Sequence, residues 1–173
     1  MQERWTVSAL RIPIPRAASR RAGIVVGVAA TVVSADQVTK TLAVDHLTGG
    51  PVHVIGPFSF ALAYNSGVAF SLFAGVGLPI VLLALCLVGL VVWFARGTPS
   101  RTGSVAIGLV AGGAVGNLSD RLFRNDGGAV VDFIHTGFWP TFNVADASVV
   151  CGCVLLVIFF LRAEHGGGRA ARR

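Results

Sequence analysis

Charge is what this sequence lacks. Only eight acidic and 14 basic residues occur among 173, or 13% of the chain, about half the share found in a soluble globular domain. With 54% apolar residues and a mean hydropathy of +0.75, too few polar groups remain to cover a soluble surface, so the composition is that of a membrane protein. The net charge of +6 does not point to nucleic acid. No basic stripe with interleaved aromatics is present, and the arginines stand at the ends of apolar runs. Cysteine is scarce too. Cys86, Cys151 and Cys153 fall inside apolar runs, where a free thiol packs as a small hydrophobe, and Cys151-x-Cys153 has no partner ligands for zinc. His46, His53, His135 and His165 are scattered. No metal and no other cofactor is expected.

What is there is a succession of apolar runs punctuated by arginine. Residues 1–21 carry five arginines, with Pro13 and Pro15 against a helix, and read as a basic cytoplasmic tail. A first membrane helix is expected over about 22–44. A polar stretch to Gly67 follows, with Gly49-Gly50-Pro51 and Gly56-Pro57 as breakers and VHVI and FSFALAY as β-like runs, so a small β element is expected on the membrane surface. From Val68 to Ala95 no charge occurs, enough chain to span a hydrocarbon core of ~30 Å. A third helix is expected over 103–122, where Gly108, Gly112 and Gly116 recur every four residues and leave one face bare for a close neighbour. The fourth runs over about 143–161, before a basic tail, 163–173. The fold class is an all-α, four-transmembrane-helix bundle with an extracytoplasmic β element between helices 1 and 2, and residues 22–162 form one membrane domain.

Arginine also sets orientation. Eleven of the 14 basic residues lie in residues 1–21, 96–101 and 162–173, which four helices place on one side, and that side should be cytoplasmic. From the flanking arginines, Asp36, Asp120 and Asp146 lie roughly 22, 28 and 24 Å into their helices at 1.5 Å per residue. The acids therefore reach one level near the extracytoplasmic surface.

Helical spacing gives Asp36 a cation at Lys40, and places Asn117, Asp120 and Arg121 on one face. Asp132 and Asp146 have no lysine or arginine within four residues. They are the acids least neutralised by local sequence. Two carboxyls sharing a site can hold one proton between them, so that one activates water while the other polarises a carbonyl, the chemistry of an aspartic peptidase. Acids in membrane helices also serve proton transport. A small proton-coupled carrier or channel component, with Asp36, Asp120 and Asp146 as relay, is the alternative, and a structural tetraspan partner is a third reading.

Five motifs sharpen the choice: Asp36-Gln37-Val38-Thr39-Lys40; Asn65-Ser66-Gly67-Val68-Ala69-Phe70-Ser71; the run from Gly112 to Arg121; Val131-Asp132-Phe133; and Phe142-Asn143-Val144-Ala145-Asp146. In this order the chain resembles the lipoprotein signal peptidases, the signal peptidase II family of four-helix aspartic peptidases in bacterial cytoplasmic membranes. The resemblance covers about residues 22–162. It implies Asp132 and Asp146 as the catalytic dyad, Asn65, Asn117, Arg121 and Asn143 as substrate-binding residues, and Asp36, Lys40 and Asp120 as support. Arg121 is open between clamping substrate carbonyls and neutralising Asp120. The implied substrate is a diacylglyceryl-modified prolipoprotein, cut just before the lipidated cysteine without a metal. A bundle of this size can bury its own polar face, so a monomer in contact with membrane lipid is expected. Val68 and Ala147 depart from residues frequent in the family, alanine and serine respectively.

Overall fold

Glycine and proline punctuate the chain much as their backbone preferences require. In the computed structural model, which describes residues 16–66 and 100–170, helix α1 is Arg16–His46. It begins right after Pro15 in the sequence, six residues before the expected start, so Arg16 to Arg21 are its first turns rather than part of a tail. A proline just ahead of a helix removes no intrahelical hydrogen bond. After Gly50, whose φ of 126° suits glycine alone, the chain forms β1 (Val52–Ile55) and β2 (Phe58–Asn65), joined through Gly56, also at positive φ.

Helix α2 is Arg101–Phe123. Its start is fixed by Ser100, whose hydroxyl accepts the Gly103 amide at 3.0 Å as an N-cap, and it ends ahead of the left-handed pair Gly127-Gly128. Strand β3 (Val130–His135) and helix α3 (Val144–Ala170) follow. Helix α3 runs nine residues beyond the expected end, through Gly166 to Gly168, since extending a formed helix needs no new nucleus. The helix expected over 68–95 lies outside the described residues.

The sheet is antiparallel in the order β1-β2-β3. Its third strand corrects the sequence reading, which placed the β element wholly between the first two helices and no element between the third and fourth. The run VVDFIH pairs with β2, placing Ala63 opposite Asp132 and Asn65 opposite Val130. A buried acid interrupts this run, which is why it did not stand out as a strand.

Among the described residues, two helices are long and apolar enough to cross a membrane, Arg20–His46 and Arg101–Phe123; the apolar part of α3, Val144–Phe159, is shorter. Their outward faces are apolar. Val26, Val38 and Leu42 on α1, and Val150, Val154, Val157 and Leu161 on α3, are each more than half exposed, the reverse of a water-facing helix. Hydroxyls inside the helices turn back on their own backbone: Thr31, Thr39 and Ser119 bond the carbonyls of Gly27, Ala35 and Val115.

The glycine face of α2 lies against α1, as the spacing predicts. A Cβ at Gly108 or Gly112 would stand 2.7 Å from the Cβ of Val28 or Val32, and one at Gly116 would stand 2.7 Å from Asp36 Oδ2. On the other flank Gly113 meets the Ala145 carbonyl, and Gly152 of α3 meets Val110 and the Ala106 carbonyl. Close approach thus binds α2 to both neighbours. Replacing Gly112 with valine should cost about 1–3 kcal/mol through overpacking and lower the Tm in detergent micelles. Gly27→Val, where a Cβ has nothing within 4 Å, should leave the Tm unchanged. Where the sheet meets the helices, Ala43 and Leu47 pack on Phe133, flanked by Leu62, Ile134 and Val144. Further from the sheet, Ile107 and Val110 pack with Val25 and Leu156.

Candidate active site

Helices α1 and α2 bring their C-terminal ends, and α3 its N-terminal end, to the level of the sheet. Four carboxyls gather there. Asp36 and Asp120 are fully buried, Asp132 is 2% exposed, and Asp146 is half-buried. Buried acids need partners, and each partner is specific.

Asp146 stands in the first turn of α3 behind Asn143, and the two form a reciprocal cap. The Asp146 amide donates to Asn143 Oδ1 at 2.9 Å, and the Asn143 amide donates to Asp146 Oδ2 at 3.3 Å. The Asn143 side chain also reaches the other acid, its Nδ2 donating to Asp132 Oδ1 at 2.7 Å and to the Val131 carbonyl at 3.3 Å. One buried asparagine thus touches both Asp132 and Asp146, which brings these acids together as their lack of local cations suggested. Asn117 completes the frame. Its Nδ2 donates to Asp146 Oδ1 at 2.7 Å, while its Oδ1 accepts from Lys40 Nζ at 3.0 Å and Asn143 Nδ2 at 3.1 Å. Cation on one side and carboxylate on the other fix which way this amide points.

Asp36 and Asp120 hold the backbone beside these acids. Asp36 Oδ1 accepts the Ala145 amide at 2.9 Å, satisfying an orphan donor of α3 one residue before Asp146. Asp120 Oδ2 accepts the Val131 amide at 3.1 Å, one residue before Asp132. Lys40, itself fully buried, bridges the two, 2.8 Å from Asp36 Oδ2 and 2.9 Å from Asp120 Oδ2.

Arg121 does not supply the neutralising contact to Asp120. The Asp120 carboxylate pairs with Arg124 at 2.9 Å and with Lys40, because in a helix i+4 lies on the same face whereas i+1 is turned about 100° away. Arg121 Nη1 instead donates to the Gly128 carbonyl at 3.1 Å, and its charge faces Asp132, Asp120 and Asp146. Two residues of the site escaped the sequence reading. Arg124 was signalled by its four-residue spacing from Asp120. Gln37, whose Nε2 donates to Asp120 Oδ1 at 2.9 Å and the Gly116 carbonyl at 3.1 Å, carried no signal, because these two partners are on another helix. Asn65, diagonal to Asp132 across the strands, gives that carboxyl a side-chain hydrogen bond.

Burial, with the Asp146 carboxylate close by, pushes the Asp132 carboxyl up to about 6, against the hydrogen bonds of Asn65 and Asn143 and the charge of Lys40, which hold it down. Among the described residues no group of three or more His, Cys, Asp or Glu side chains is placed to hold a metal ion. The arrangement offers an acid able to retain a proton next to a second carboxyl. That pair can activate water and polarise a carbonyl.

Known proteins share this arrangement of sequence and fold. The signal peptidase (SPase) II family profile matches residues 28–162. A lipoprotein signal peptidase of Mycobacterium avium (strain 104) is 46% identical over 144 residues, covering 80% of this chain and 79% of that protein. One from Mycolicibacterium smegmatis (strain ATCC 700084 / mc(2)155) is 45% identical over 152 residues, covering 85% of this chain and 65% of that protein. A solved structure, described as a bacterial membrane enzyme determined by the in meso method at 1.9 Å resolution, superposes with a TM-score of 0.73 at 31% identity, over 80% of this chain and 93% of that one. Since the profile runs from the first described helix through the sheet into the last, the chain belongs to the signal peptidase II family.

Proposed function

We propose that Asp132 and Asp146 are the catalytic pair of this aspartic endopeptidase, which removes signal peptides from prolipoproteins. Cleavage falls before a diacylglyceryl-modified cysteine. The observation that carries the assignment is the single asparagine, Asn143, bonded to both carboxyls.

Charge balance supports one shared proton. Among the described residues, Asp36, Asp120, Asp132 and Asp146 face three cations, Lys40, Arg121 and Arg124, so a single proton makes the set neutral where charge is costly. Asp132 holds that proton and Asp146 is the base. Asp146 takes a proton from water as the water oxygen attacks the scissile carbonyl carbon, and Asp132 gives its proton to the carbonyl oxygen. The gem-diol then returns a proton to Asp132 as the C–N bond breaks, and Asp146 delivers its proton to the leaving amine. Asn65 and Arg121, at the partly open side of the site, hold the extended substrate backbone, and Asn117 and Asn143 keep the two acids aimed at the water.

The remaining architecture follows from the same frame. Asn65 belongs to the sheet, at the site level, whereas Arg101 starts a helix of 23 residues, about 34 Å long, that ends at that level. Residues 66–100 connect the two, and with 28 uncharged residues a spanning helix over 68–95 completes a four-helix domain, 22–162. Both termini are cytoplasmic, by the distribution of arginine, and the site lies near the extracytoplasmic surface. There the exposed Phe138 and Trp139 anchor in the headgroup region. The enzyme acts as a monomer.

Proton sharing gives a pH signature. The alkaline limb of kcat/KM, which reports the free enzyme, should fall near pH 6, where Asp132 loses its proton. The limb of kcat should stand higher, because bound substrate excludes water and further disfavours the charge. The same shift affects stability. Asp132 is raised above its unfolded value, so its contribution is complete below about pH 4 and is lost as pH rises through about 6. Initial rates on a lipidated prolipoprotein across pH 4–9 test this, and a kcat/KM flat through pH 6 contradicts it. Requirement for the lipid is tested by comparing lipidated and unlipidated prolipoprotein. Equal cleavage of both removes the diacylglyceryl specificity.

A further inference from the structure

Asp120 is held at the less favourable end of its helix. It lies in the last turn of α2, where the helix dipole is negative, and it is fully buried, so one cation shared with Asp36 leaves it under-compensated. Arg124 makes up the difference. Its Nε pairs with Asp120 Oδ1 at 2.9 Å, and its Nη2 crosses to α1, donating to Thr41 Oγ1 at 3.2 Å and the Gln37 carbonyl at 3.5 Å. The Arg124 side chain is 19% exposed. The other oxygen of Asp120 accepts the Val131 amide, and the next residue is Asp132.

We propose that Arg124 is a positioning residue for the peptidase reaction: it holds Asp120 against the backbone of β3, so fixing Asp132, and its charge helps to set the pH range in which the acid pair keeps its proton. This rests on the assignment of Asp132 and Asp146 as the catalytic pair. The charged groups around that pair are Asp36 and Lys40 from α1, and Asp120 and Arg121 from α2, with Arg124 paired behind Asp120. Among them Arg124 is a cation that braces α2 to α1 and has no contact with either catalytic carboxyl among its hydrogen bonds and ion pair. Its loss should reach the reaction through Asp120, by freeing β3, and through the field, by making proton release harder.

The full chain in detergent micelles, assayed on a diacylglyceryl-modified prolipoprotein, gives the test. Arg124→Gln should lower kcat about tenfold, as expected when a reacting group is misplaced, with KM little changed. It should also move the alkaline limb of kcat/KM upward by about half a pH unit. Arg124→Lys, which keeps the charge but not the fork, should hold the limb at its original position and recover part of kcat. Wild-type kcat and an unmoved limb in Arg124→Gln would overturn the proposal. So would a lower kcat with an unmoved limb and no recovery in Arg124→Lys, which would make Arg124 a support of the fold alone. Asp132→Asn and Asp146→Asn run alongside. If either turns over, the catalytic assignment fails, whereas inactive asparagine variants beside a fully active Arg124→Gln refute only the role of Arg124.

Discussion

Asparagine at position 132 or 146 should reduce kcat for prolipoprotein cleavage by at least about a thousandfold, toward the upper range for losing a positioned acid or base. The change is nearly isosteric, and an amide oxygen can still accept from Asn143 or Asn117, so the helices and sheet should remain assembled. Asp132→Asn should be as stable as the native chain at low pH and more stable above about pH 6, because it removes a carboxyl whose ionisation the fold disfavours. Purified variants, assayed after removal of any host peptidase and followed by thermal unfolding at pH 5 and pH 7.5, separate the two effects. Turnover within tenfold of the native enzyme in either variant would exclude that residue from the chemistry.

Lys40→Met should produce the largest loss of stability, about 3–5 kcal/mol, the usual result of leaving buried charge without its partner. The ammonium contacts Asp36, Asp120 and Asn117 at 2.8, 2.9 and 3.0 Å, and both acids are fully buried. Removing it strands Asp36, leaves Asp120 with only the more exposed Arg124 as ion-pair partner, and unties the backbone beside Asp146 and Asp132, Ala145 through Asp36 and Val131 through Asp120. Lys40→Arg should not restore the native Tm, since a planar fork does not fit a junction built around one compact ammonium. Adding Asp36→Asn to Lys40→Met should recover part of the loss by removing one stranded charge. Thermal unfolding in micelles provides the measurement, and a Lys40→Met protein with the native Tm would show that Lys40 is not the tie.

Periodicity and charge went far in this chain. The alternation of apolar runs with arginine located α1, α2 and α3 to within a few residues over their apolar lengths, and the four-residue glycine spacing identified the face of α2 that meets α1. The count of local cations singled out Asp132 and Asp146, and the motif order identified the family. Local spacing also gave the Asp36–Lys40 pair. All of these depend on neighbours within about one helical turn, which the order of residues states directly.

What remained hidden involves partners distant in sequence. Asp132 lies on a strand because β2, some 70 residues earlier, supplies the ladder. Asp120 turns to Arg124 and Lys40 rather than Arg121 because a helix and its neighbour decide where a buried carboxylate finds protons. Gln37 and Asn143 acquire their roles only when three helix ends meet at one level. Sequence alone therefore determined the membrane setting, the apolar lengths of α1, α2 and α3 and the family, and it nominated Asp132 and Asp146, since composition and short-range spacing carry these. The tertiary fold decided how the pair is held, because a hydrogen-bond network acts over ångströms in space and is indifferent to distance along the chain.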